Sequence, residues 1–135
     1  MKRNRKYVLD SYALFSYIEG EKGAKIVAEI LKEGIYDKAE IFMSVINWGE
    51  VYYTVLREQN KKAAELYIKT IERYPITIID VNKESTLEAA EFKAFYKMSY
   101  ADAFAVSLAK NIKATLVTGD KEFLSIEDKV KITWI

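Results

Sequence analysis

Hydrophobic positions along this chain fall into two rhythms. Short apolar runs rich in β-branched or bulky side chains occur at 6–10, 41–45, 76–81, 114–118 and 130–134. Runs of this length, bounded by polar turn residues, predict strands. Between them apolar residues return at helical spacing, which predicts helices over 11–19, 22–33, 46–59, 61–73, 83–96 and 101–110. Gly20 separates the first two helices, and the fourth stops ahead of Pro75, because the residue before a proline disfavours helix. Strands that alternate with helices imply an α/β fold whose mainly parallel sheet is covered on both faces. The chain carries no internal repeat, low-complexity segment or linker, and its 135 residues fit a single domain, 1–135.

The same pattern places four acids at its junctions. Tyr7-Val8-Leu9 runs into Asp10, and Ala114-Thr115-Leu116-Val117 runs into Thr118-Gly119-Asp120, so both acids stand just past a buried strand. In open parallel sheets, ligands bind outside the carboxyl ends of the strands. Glu50 follows the 41–45 strand and shares a helical strip with Asn47 and Thr54. Asp102 lies in Ala101-Asp102-Ala103-Phe104-Ala105-Val106, a helix apolar almost all round, where a carboxylate needs a partner.

Each acid also has a local explanation. Asp10 is a good N-cap, Glu50 fits a solvated face, Asp102 completes a capping box with Ser99, and Asp120 suits a Gly-Asp turn. Glu122 reads as solvated, and Asp80 as a strand-end acid on an edge strand away from the others. Convergence of the four on one sheet edge favours a shared site. Carboxylates about 4 Å apart repel by on the order of 4 kcal/mol per pair at a surface-like dielectric. A divalent cation is the economical compensation, and water held by a metal beside carboxylates is equipment for phosphodiester hydrolysis.

Composition narrows the chemistry further. The chain has no cysteine and no histidine, which excludes thiol nucleophiles, Ser-His-Asp triads, disulfides and Cys/His zinc sites. Oxygen donors remain, the ligands that Mg²⁺ and Mn²⁺ prefer. Net charge is +1, so no global basic field announces nucleic acid, and Lys2, Arg3, Arg5 and Lys6 read as a solubilising tail. No apolar stretch approaches the roughly 20 residues that span a bilayer, nor does the N-terminus resemble a secretory signal, so the expected location is cytoplasmic with no membrane association.

Four segments together resemble PIN-domain ribonucleases, especially the VapC-like toxins of toxin–antitoxin pairs: Tyr7-Val8-Leu9-Asp10-Ser11, Asn47-Trp48-Gly49-Glu50-Val51, Tyr100-Ala101-Asp102-Ala103-Phe104-Ala105 and Thr118-Gly119-Asp120-Lys121-Glu122-Phe123. The likeness spans essentially the whole chain. It implies a three-layer α/β/α sandwich around a five-stranded, mainly parallel sheet in which the first, second and fourth strands meet. It also implies Mg²⁺- or Mn²⁺-dependent endoribonuclease activity leaving 5′-phosphate and 3′-hydroxyl ends. By position, Asp10 and Asp102 correspond to the principal metal ligands, with Glu50 and Asp120 completing the pocket directly or through water. Ser11 and Thr118 match hydroxyls that orient a carboxylate or water. The implied partners are an RNA substrate, a VapB-like antitoxin and a second copy of the chain.

Rival readings are weaker. A phosphoacceptor signalling domain would need a paired acid after the first strand, where Ser11-Tyr12 stands, and a dehalogenase-like phosphatase would need an acid at Tyr12. A PIN-like fold that binds RNA or protein without cutting differs by activity alone.

Overall fold

The computed structural model describes residues 4–135. Lys2 and Arg3 of the basic run lie outside them, whereas Arg5 and Lys6 belong to the first strand. The strands are β1 (Arg5–Leu9), β2 (Ala39–Ser44), β3 (Ile76–Ile79), β4 (Thr115–Thr118) and β5 (Ile132–Trp134). The helices are α1 (Ser11–Ile18), α2 (Ala24–Ile35), α3 (Val45–Glu58), α4 (Lys61–Glu72), α5 (Lys83–Phe95) and α6 (Tyr100–Ile112), with a 3₁₀ helix over Lys121–Ile126.

The sheet order is β3-β2-β1-β4-β5, and every neighbouring pair is parallel. Parallel strands require crossovers, which α1–α2, α3–α4 and α5–α6 supply up to β4 and the 3₁₀ segment supplies between β4 and β5. The chain steps outward from β1 to β3, then returns past β1 to build β4 and β5. This reversal puts a topological switch point between β1 and β4, where sheets of this type leave a crevice at their carboxyl edge.

Side-chain alternation along the central strands feeds two cores. Tyr7, Leu9, Ile41, Met43 and Val117 pack against Ala13, Leu14, Val27, Leu31, Val51 and Ile71 on one face. Val8 and Leu116 pack against Ala103, Ala105, Val106, Phe123 and Ile126 on the other. Strands buried on both faces need near-continuous apolar sequence, which Tyr7-Val8-Leu9 and Leu116-Val117 provide. Gly34 lets α2 seat on the sheet, since a Cβ there would lie 2.7 Å from Ile41 Cδ1 and 2.9 Å from Pro75 Cγ.

Local chemistry moves several boundaries from those the pattern predicts. The break between α1 and α2 extends to Gly23, which takes φ 91° as N-cap of α2. Asp10 has left the strand to cap α1. Val81 has left β3, an edge strand, and Asp80 is exposed beyond its end. The 3₁₀ helix is an addition, short enough to lack a readable period. Among the described residues no helix is long and apolar enough to cross a membrane.

Candidate functional site

The carboxyl edge around the switch point gathers the acids. Asp10 follows β1 and is 1% exposed. Its Oδ1 accepts the Ala13 backbone N–H at 2.8 Å, capping α1, while its Oδ2 accepts the Thr118 hydroxyl at 2.5 Å. The capping reading and the site reading of Asp10 therefore describe the same carboxylate, one oxygen each. The Thr118 hydroxyl in turn accepts the Asp120 backbone N–H at 3.0 Å, which ties the turn after β4 to the end of β1.

Asp120 caps the 3₁₀ helix by accepting the Glu122 N–H at 2.9 Å. The residue between it and Thr118 must be glycine for steric reasons. A Cβ on Gly119 would lie 2.3 Å from the Tyr12 ring and 2.9 Å from the Ile135 carbonyl oxygen. Asp102 sits in the first turn of α6, buried, with its backbone N–H held by the Ser99 hydroxyl at 3.1 Å. Glu50, in the second turn of α3, accepts the Ser11 hydroxyl at 2.7 Å on Oε1.

Oxygens of Asp102, Asp120 and Glu122 lie within 4.8 Å of one another. Glu122 is exposed, as a solvated acid would be, yet its carboxylate joins this group. Asp10 lies close enough to Asp102 and Asp120, and Glu50 close enough to Asp10, for their charges to be felt. Sequence reasoning gave no role to Asn47. It is fully buried, donating to Glu50 Oε1 at 3.4 Å and to the Ala101 carbonyl at 3.2 Å, so it links the helices of Glu50 and Asp102. Among the described residues its Oδ1 has no hydrogen-bond partner. An asparagine next to Trp48 in a helix that turns Val51 and Val55 into the core was the available signal.

Electrostatics follow from this crowding. Burial pushes the Asp10 carboxyl up to about 7, against the pull of the Thr118 and Ala13 hydrogen bonds, and the charges of Asp120 and Glu50 push the same way. Burial, then the neighbouring Asp120, pushes Asp102 up to about 8. Among the described residues no Lys or Arg nitrogen comes within 4.0 Å of any of these carboxylates. An all-oxygen set with no cationic side chain against it among the described residues, whose Asp10 and Asp102 carboxyls keep their protons up to about 7 and about 8, fits a hard divalent ion that would take the protons' place.

Comparison with known proteins bears directly on the arrangement. A family model described as PIN domain matches residues 7–129. The chain belongs to the PIN domain family. The fold of this PIN protein is similar to that of VapBC2 from Rickettsia felis, solved bound to a DNA fragment from its promoter, with TM-score 0.74 and 18% identity over 96% of this chain and 98% of that one. It is similar to VapBC-1 from nontypeable Haemophilus influenzae, with TM-score 0.70 and 18% identity over 96% and 97%. It is also similar to VapC20 of Mycobacterium tuberculosis, a Sarcin-Ricin loop cleaving toxin, with TM-score 0.69 and 13% identity over 88% and 93%. No curated protein sequence matches the chain.

Thr118→Val tests the hydroxyl at the centre of this PIN site. The substitution preserves shape but leaves Asp10 Oδ2 and the Asp120 N–H without their shared partner. Loss of about 1–3 kcal/mol in urea unfolding is expected, with any affinity of the site for a divalent cation about tenfold weaker. Thr118→Ser, which keeps the hydroxyl, restores most of both.

Proposed function

We propose that this PIN-domain protein is a divalent-metal-dependent endoribonuclease, the toxin of a toxin–antitoxin pair. The observation that carries the reading is the cation-free cluster of Asp102, Asp120 and Glu122 beside the buried Asp10 at the β1/β4 switch point. Similarity of fold to VapBC proteins, one of them a toxin that cleaves RNA, supports the substrate class and a VapB-like antitoxin.

Asp102, Asp120 and Glu122 would hold Mg²⁺ or Mn²⁺, with Asp10 as a further ligand. When bound, such an ion supplies Lewis-acid stabilisation of the phosphodiester's developing charge and lowers the pKa of water. The chain's own residues hold the geometry. Thr118 fixes Asp10, Ser99 fixes the first turn under Asp102, and Ser11 with Asn47 pins Glu50 through Oε1. Glu50 Oε2, without an intramolecular hydrogen bond among the described residues, is available to take the proton from an attacking water. In-line attack by that water leaves a 5′-phosphate and a 3′-hydroxyl. With no histidine in the chain, the acid–base pair of a cyclic-phosphate mechanism is missing.

The toxin reading calls for partners with apolar faces. Exposed Tyr53, Leu56 and Leu66 on α3–α4, and Leu87 with Phe95 on α5, offer such surface for an antitoxin and a second copy in the cytoplasm. The test is incubation with total RNA in Mg²⁺, Mn²⁺ or EDTA. Discrete fragments with 5′-phosphate ends in metal only are expected. Uncut RNA with folded protein under every metal would leave a PIN fold that binds without cutting.

A further inference from the structure

We propose that the amino edge of the sheet, opposite the acidic pocket, is a second nucleic-acid site that holds the phosphate backbone of an RNA. An open concavity of about 1060 Å³ lies there, lined by Arg5, Lys6, Lys113 and Lys131. Lys110 and Lys129 line a depression that shares Lys113 and Lys131 with it. Against these six cations the lining contains one carboxylate, Glu40. In a chain of net charge +1, this is segregation of charge rather than excess.

The cations come from distant segments: the start of β1, the end of α6, and the approach to β5. A parallel sheet brings all of them to one edge. Arg5 is partly engaged by Glu33 at 3.6 Å and Lys129 by Asp128 at 3.8 Å. Lys6, Lys113 and Lys131 have no ion pair within 4.0 Å among the described residues. The negative end of the α6 dipole accounts for cations at Lys110 and Lys113. It does not account for Lys6 or Lys131, which lie on or beside strands.

The backbone of Lys113 offers a handle for a test. It ends α6 at φ 56°, ψ 47°, a left-handed conformation that glycine adopts freely and lysine does not. The groove is broad, open and cationic, which suits sequence-independent contact with successive phosphates.

The choice of RNA rests on the nuclease reading, but the binding can be measured without cleavage. Anisotropy of a labelled single-stranded RNA, titrated in EDTA at several salt concentrations, would compare wild type with the triple variant Lys6→Gln/Lys113→Gln/Lys131→Gln. Affinity is expected to fall about tenfold or more, and the slope of log affinity against log salt to flatten by about 2. Lys113→Gly alone should bind severalfold more weakly yet melt at a higher temperature, a pairing that a purely structural lysine would not produce. In Mg²⁺, the triple variant should cut a short oligonucleotide as wild type does. Unchanged affinity and salt slope in the triple variant would overturn the site. So would displacement of the RNA by polyglutamate as readily as by unlabelled RNA, which would assign the groove to an acidic protein. If wild type cuts nothing while the triple variant still loses binding, the groove stands and the nuclease reading falls.

Discussion

Asp102→Asn should abolish RNA cleavage and at the same time stabilise the metal-free protein. The two effects share one cause. On the proposed reading the pocket assembles carboxylates whose repulsion a bound cation would offset, so removing one charge would relieve the fold and disable the site. Cleavage in Mg²⁺ should drop by roughly three orders of magnitude. At pH 8 in EDTA, urea unfolding should show a gain of roughly 2 kcal/mol, since a carboxyl moved from 3.8 to about 8 carries a penalty that solvent at the pocket mouth only partly screens.

The pH profile gives the same account a sign. Asp10 and Asp102 titrate at about 7 and about 8 in the fold, above their ordinary 3.8. As pH rises from about 4, the unfolded chain releases these protons first, so the two carboxyls' contribution to stability is lost progressively until pH passes about 8. Mg²⁺ should reverse this decline, with its largest effect at the alkaline end. A metal-free protein whose stability is flat between pH 5 and 8, and an Asp102→Asn variant no more stable than wild type, would sink the reading of this pocket.

Phe123→Ala should be the most damaging change to stability outside the strands, at about 3–5 kcal/mol. Phe123 is fully buried against Val8, Leu116 and α6, while its neighbours Lys121 and Glu122 are exposed. It is the anchor by which the two-turn 3₁₀ helix after β4 holds Asp120 and Glu122 over the pocket. Urea midpoints should show the loss, and calorimetric Mg²⁺ titration should show weaker binding even where the fold survives. Phe123→Leu, keeping an apolar anchor, should cost no more than about 1.5 kcal/mol. Full metal affinity in Phe123→Ala would mean the acids are positioned by something else.

Much of this architecture is legible because burial on both faces leaves a strong trace. Tyr7-Val8-Leu9 and Leu116-Val117 can be little else than central strands, and the acids that end them mark the carboxyl edge. Strand order is not readable from those runs. It depends on which pair closes across the switch point, and only the resemblance supplied it. Glu122 reads as solvated along the sequence because exposure and a place in the acidic group coexist in one flexible side chain. Asn47 escapes notice because its helix carries other polar residues, and full burial of one of them is a tertiary fact. The basic groove is invisible along the chain, since Lys6 and Lys131 meet only after all the crossovers and a reversal.

The uniform strand direction also determines how the molecule turns in an electric field. Acids stand just past β1 and β4, while cations start β1 and precede β4 and β5, so the chain carries a dipole along the sheet with little net charge. Arg5 and Asp10 are five residues apart, about 17 Å along the strand. At physiological ionic strength the screening length is about 8 Å, so each edge meets a polyanion without interference from the other. In dilute buffer it grows to about 30 Å at 0.01 M, and an approaching RNA exerts a torque that presents the lysines and turns the pocket away. If the protein cuts RNA as proposed, collisions in low salt would be frequent but wrongly oriented for cutting, so rapid association and rapid turnover would be favoured by different ionic conditions.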